Sequence, residues 1–162
     1  MRIFSSLLLF FLIATIAYAQ APASPHATVG SDDISGMYTF LQEGEFVQVN
    51  VEEATRITGF ISRYGDSEGD RGAFLDHMFK EGALKGNHLT FKTRTVHGVS
   101  FEFDGTVDRG NARTSADEGF RVLHGKLTEY IEDANKKTVA RTREVTLKSF
   151  PQDAVAEHPV KD

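Results

Sequence analysis

Residues 88–93, His88-Leu89-Thr90-Phe91-Lys92-Thr93, and residues 99–107, Val99-Ser100-Phe101-Glu102-Phe103-Asp104-Gly105-Thr106-Val107, carry the reading that decides the fold. In the first, Leu89 and Phe91 alternate with His88, Thr90 and Lys92; in the second, Val99, Phe101 and Phe103 alternate with Ser100, Glu102 and Asp104. A period of two is that of a strand with one buried face, because successive side chains leave the pleat on opposite sides. The connection through His97-Gly98 is short, so the two strands are antiparallel neighbours.

The same alternation extends outward in both directions. It predicts strands from Met37 to Leu41, from Phe46 to Val51 with Val47, Val49 and Val51 on one face, and from Thr55 to Tyr64 with Ile57, Gly59 and Ile61 together. Phe120 to Tyr130 and Val139 to Phe150 complete at least seven strands. On the last, Arg141, Arg143, Val145, Leu147 and Ser149 share a face. Connections such as Gln42-Glu43-Gly44 and Asp133 to Lys137 are too short for crossovers. An antiparallel meander with one apolar face buries that face and removes its edges by closing on itself. Gly59, Gly105 and Gly125 fall at mid-strand, where glycine marks the bends that a small barrel needs. The predicted fold is therefore all-β, an antiparallel up-and-down meander closing into a barrel of seven or eight strands. One segment departs from period two: Phe74, Leu75, Met78 and Phe79 recur as on one face of a helix. They predict a short helix over Asp70–Lys80, ended by Gly82 and acting as lid or plug.

Composition narrows the class. The 162 residues include no cysteine and no tryptophan, which excludes disulfide staples, thiolate metal sites and a cysteine nucleophile. Lys plus Arg is 18 against 23 Asp plus Glu, a net charge of -5, so the basic footprint of a nucleic-acid binder is absent. Arg2, the apolar run from Leu7 to Ala17 and the small-residue site Ala17-Tyr18-Ala19 read as a signal peptide over 1–19. The run falls short of the ~20 residues of a membrane span. The expected product is a secreted or periplasmic chain without a membrane anchor. Within it, 20–33 reads as a flexible leader, 34–150 as the barrel and 151–162 as a flexible tail.

Three features together resemble the calycin-like group of small barrels, lipocalins and avidins: Gly36-Met37-Tyr38 opening the first strand, the glycine-bearing meander from Arg56 to Tyr130, and the final strand ending Leu147-Lys148-Ser149-Phe150. The resemblance is architectural. Lipocalins carry Gly-x-Trp near the first strand and avidins wall their ligand with tryptophans, whereas this chain has Tyr38 at that place. The resemblance implies a barrel open at one end, where such folds hold a small ligand.

Candidate site residues follow from the inward registers. If the register of Val145 and Leu147 runs back to Arg143 and Arg141, and that of Leu89 and Phe91 runs forward to Thr93, Thr95 and His97, two arginines and a histidine reach one end; the alternative is a bulge that flips the register and leaves both arginines as solvated rim residues. An arginine beside an apolar interior needs a partner, either an acidic side chain or an anionic ligand such as a carboxylate, which guanidinium grips in bidentate fashion. The expected ligand site is lined by Phe91, Phe101, Phe103 and Tyr38 and anchored by Arg141, Arg143 or His97.

No metal and no cofactor is expected. His77, His88, His97 and His124 show no metal-ligand spacing, and Asp66, Glu68 and Asp70 read as a solvated acidic loop. Glu102 and Asp104 fall on the outward face. The leading expectation is a secreted barrel that binds an apolar or amphipathic small molecule, anionic where the arginines hold it. The alternatives are a small barrel enzyme of isomerase or cyclase type, and a non-catalytic structural or interaction module with a solid core.

Overall fold

The computed structural model describes residues 34–53 and 55–152. The expected signal peptide, the leader and the tail from residue 153 onward lie outside the described residues. Eight strands follow one another: β1 (Gly36–Thr39), β2 (Phe46–Glu52), β3 (Arg56–Tyr64), β4 (Phe74–Lys85), β5 (His88–Thr93), β6 (Val99–Arg109), β7 (Arg121–Glu132) and β8 (Thr138–Lys148). They form a single antiparallel sheet in chain order, the meander that the short connections predict.

The sheet curls until its two edges meet. Tyr38 and Ser149 form an isolated antiparallel bridge, the Phe150 N–H donates to the Met37 carbonyl at 2.8 Å, and the Lys148 N–H donates to Thr39 Oγ1 at 2.9 Å. Gln152 Nε2 adds a bond to the Ser35 carbonyl at 3.2 Å. Because β1 has only four residues, this seam is short, and Thr138–Glu144 of β8 is exposed throughout.

Alternate positions fill the interior. Val47, Val49, Ile61, Leu89, Phe103, Leu123 and Leu127 are fully buried. Phe79, Phe91 and Phe103 stack in series with centroids 4.3 and 5.3 Å apart, and Phe40 meets Phe101 edge-on at 5.5 Å. Such pairs add to the area they bury. Gly105 and Gly125 face one another across β6 and β7; a Cβ on Gly105 would stand 2.2 Å from the His124 carbonyl oxygen. Only glycine permits the close approach of these two strands. At the β5–β6 turn, Val96 and Val99 exchange both backbone bonds at 2.9 Å. The two residues between them, His97 and Gly98, both hold positive φ (48° and 79°), the geometry of a type I′ hairpin turn.

The expected helix over Asp70–Lys80 is corrected. Glu68–Asp70 is a single 3-10 turn, and Phe74–Lys85 is strand β4, paired with β3 and β5. Phe74 and Met78 point outward, 48% and 52% exposed, while His77 and Phe79 face the core. A bulge between Phe79 and Glu81 then changes the parity, so that Gly82 and Leu84 oppose the core residues Phe91 and Leu89. Two exposed apolar residues, Phe74 and Met78, set beside the inward Leu75 and Phe79 with the polar His77 on the core face, imitate a helical period.

Candidate functional site

The β1–β2, β3–β4, β5–β6 and β7–β8 connections stand at one end of the sheet. Toward that end the inward positions change from apolar to polar: Arg63 on β3, His77 on β4, Thr93 on β5 and Glu129 on β7, each no more than 8% exposed. They surround Phe101 of β6. The His77 ring meets Phe101 edge-on at 5.2 Å, and Arg63 Cζ lies 5.7 Å from the Phe101 centroid, within cation–π range. Phe101 is also the cross-strand neighbour of Glu129.

Each polar side chain has a defined support. Arg63 pairs through Nη2 with Asp66 Oδ2; the guanidinium side is 6% exposed and the carboxylate side 66%. Thr93 Oγ1 accepts the Phe101 N–H at 2.9 Å. Glu45, 2% exposed, accepts the Tyr64 N–H at 3.0 Å and the Gln42 N–H at 3.1 Å, fixing the β1–β2 turn to the end of β3. His77 is fully buried, and among the described residues neither ring nitrogen has a partner in hydrogen-bonding geometry. Burial first, and the Arg63 charge second, push its pKa down to about 4, against a smaller upward pull from the Val99 and Arg94 backbones. The ring is neutral near neutral pH.

The β3–β4 connection is fastened across this end. Gly65 N–H donates to the Ala73 carbonyl at 3.0 Å, and Asp70 Oδ2 contacts both Ser67 Oγ at 2.6 Å and His97 Nδ1 at 2.8 Å. The Ser67 bond, then that to His97, holds the Asp70 carboxyl below its ordinary value. The acidic loop expected from Asp66, Glu68 and Asp70 is thus tied to an arginine and a histidine, and no group of three or more metal-ligating side chains occurs among the described residues.

The residues singled out in the sequence occupy three settings. Phe91, Phe101, Phe103 and Tyr38 are packed on the core, and the Tyr38 hydroxyl donates to the Ile34 carbonyl at 2.6 Å. His97 is at the same end as the polar ring, but its side chain is 59% exposed and turned to Asp70. Arg141 and Arg143 share the register of Val145 and Leu147, opposite Glu129 and Leu127, and both are exposed. Arg143 Nη2 lies 3.5 Å from Glu129 Oε2 and so joins the ring from its rim. Glu102 and Asp104 face outward, toward Lys92 and His88 respectively. Sequence reasoning missed Arg63, His77 and Glu129 as site residues. The parity of Ile57, Gly59 and Ile61, continued by one step, points Arg63 inward; for His77 the exposed apolar Phe74 and Met78 on the other parity hid the same signal.

No protein-family model matches the chain, and no curated protein matches its sequence. Solved structures do match. The rhizavidin–biotin complex superposes with a TM-score of 0.51 at 11% identity, over 71% of this chain and 98% of that one. Intact afifavidin in its apo form superposes with a TM-score of 0.52 at 12% identity, over 78% of this chain and 87% of that one. The chain therefore has the curled antiparallel barrel fold of the avidin type. At such identities the likeness is one of fold.

Proposed function

We propose that this protein is a secreted small-ligand-binding barrel that takes an amphipathic, carboxylate-bearing molecule at the polar-ringed end, over Phe101. The observation that carries the reading is Arg63: a guanidinium almost wholly buried against an aromatic ring, its ion-pair partner an exposed carboxylate on a loop. A ligand carboxylate can take the place of Asp66, while the ligand's apolar part covers the aromatic side chains. Arg143, joined to the ring through Glu129, is the second anchor. The fold likeness supports the reading, since rhizavidin is seen with biotin. The absence of tryptophan argues for a different ligand here.

The test is a thermal-shift and calorimetric comparison of medium-chain carboxylates with the corresponding alcohols, alongside native mass spectrometry for a retained molecule. Carboxylates should bind and alcohols should not. Arg63→Gln should weaken binding by about 10-fold or more, the order of one lost charge-assisted pair. Asp66→Asn, which frees the guanidinium, should strengthen it. Equal response to acid and alcohol, or variants without opposite effects, would refute the reading. The stacked interior of Phe79, Phe91 and Phe103 favours a second reading, a solid-core interaction module. Failure of every small molecule to bind would support that reading.

A further inference from the structure

The outer face near the same end carries a second feature, which borders the mouth at Thr93 and Phe101 but is lined by different charged side chains. A depression of about 250 Å³ contains Lys80, Lys92, Arg94, Thr95, Ser100 and Tyr130 in its wall, and a second of about 230 Å³ shares Thr95, Ser100 and Tyr130 with it. The two form one trough, which reaches Thr138 on β8. From β4 to β8 it crosses five strands; at about 4.8 Å per step that is roughly 19 Å.

Its charge is opposite to that of the protein. The chain is net negative, at -5, yet the first depression sets three cations against a single carboxylate, Glu102. Glu102 is already engaged: Lys92 Nζ lies 3.0 Å from Oε1, and the Tyr130 hydroxyl donates to Oε2 at 3.1 Å. These bonds raise the pKa of both Lys92 and Tyr130, so the ammonium stays charged and the phenol stays protonated, with the ring held in place. Glu132, in the second depression, is taken by Lys136 at 2.7 Å. The uncommitted charge therefore belongs to Arg94, whose guanidinium has no ion pair among the described residues, and Lys80, whose contact with Glu81 is a loose 3.8 Å.

Lys80 owes its position to the β4 bulge. Phe79 opposes Thr93 and Glu81 opposes Lys92, so Lys80 is the extra residue between them, and it lines the depression together with Arg94. Bulges re-aim side chains in this way next to binding sites.

We infer that this trough binds a short acidic saccharide, with its carboxylates on Arg94 and Lys80 and a sugar ring against Tyr130. The hydroxyls of Thr95 and Ser100 both donate and accept, matching sugar hydroxyls. Tyr130 offers a flat apolar face with a polar tip. The small net charge and the acidic remainder of the protein do not suit a polynucleotide, whose binding rests on many phosphate contacts.

The test is isothermal titration of the whole chain at low salt with trigalacturonate, its fully methyl-esterified form and inorganic phosphate. Trigalacturonate should bind, and its affinity should fall by about 10-fold in Arg94→Gln and in Lys80→Gln. Lys80→Arg should retain it, and Tyr130→Ala should lose it. Unchanged circular dichroism and thermal midpoints establish that the variants are folded. Arg63→Gln should leave saccharide binding intact, which separates this site from the mouth. The inference is overturned if the ester binds as well as the acid, if phosphate competes on equal terms, if the lysine and arginine variants bind as wild type, or if nothing binds. Sedimentation showing a dimer that Arg94→Gln dissociates would also overturn it, by assigning the trough to a second copy.

Discussion

His77 is the side chain whose charge state the fold decides. Its ordinary pKa is 6.5; in the barrel, burial and Arg63 bring it to about 4. The folded state therefore binds its proton less readily than the unfolded chain, and His77 favours folding fully only above about pH 6.5. As the pH falls through about 4 that contribution is lost, a change on the order of 3 kcal/mol. Urea unfolding of wild type and His77→Leu between pH 7.5 and 4 should show a steeper loss for wild type. Parallel slopes would mean that the histidine is not the titrating group. The same neutral ring explains why Arg63 can be buried beside it: a charged imidazole would set a second cation next to the guanidinium, whose carboxylate partner is Asp66.

At the scale of elements, β4 decides between the strand and the helix. Adjacent Met78 and Phe79 would share a helical face, but in the strand they lie on opposite sides: Met78 is 52% exposed, and Phe79 stacks on Phe91 at 4.3 Å. Met78→Lys should cost less than about 0.5 kcal/mol and Phe79→Ala about 3 kcal/mol, read from denaturation midpoints. Similar costs for both would contradict the strand. Seven of the eight strands were legible because each keeps one parity from end to end, as Val99 to Val107 does. β4 was not, because its inward set passes through His77 and then changes phase at the bulge. The site was only partly legible for a related reason. Parity placed Arg141, Arg143 and Thr93 on inward registers, but which of them is buried depends on the length of β1, and four residues leave most of β8 uncovered. The Asp70–His97 tie joins loops 27 residues apart, a distance that no periodicity reports.

The whole molecule is unevenly fastened. β6 and β7 pair over eleven residues each, from Val99↔Ile131 to Arg109↔Arg121, while the closing seam rests on one bridge and a few bonds. Local opening follows the density of such contacts. Hydrogen exchange should therefore release the amides of 36–39 and 149–152 well before those of 99–109 and 121–132, at a free energy below that of global unfolding. Equal protection along both would show that the barrel opens only as a unit. With no cysteine in the chain, none of this depends on redox conditions.

The bond between Gln152 and the Ser35 carbonyl has a topological meaning. It brings the two ends of the described segment within one side chain of each other, so the barrel is nearly a ring cut at a single place. Joined there by a short linker, the chain could be reopened at the exposed tip around Asn135, a local turn in which Asp133 Oδ1 accepts the N–H groups of Asn135 and Lys137 and backbone bonds link Asp133 with Lys136 and Lys137. Such a circular permutant would begin at β8, run through β1 to β7, and keep every strand beside its present neighbours.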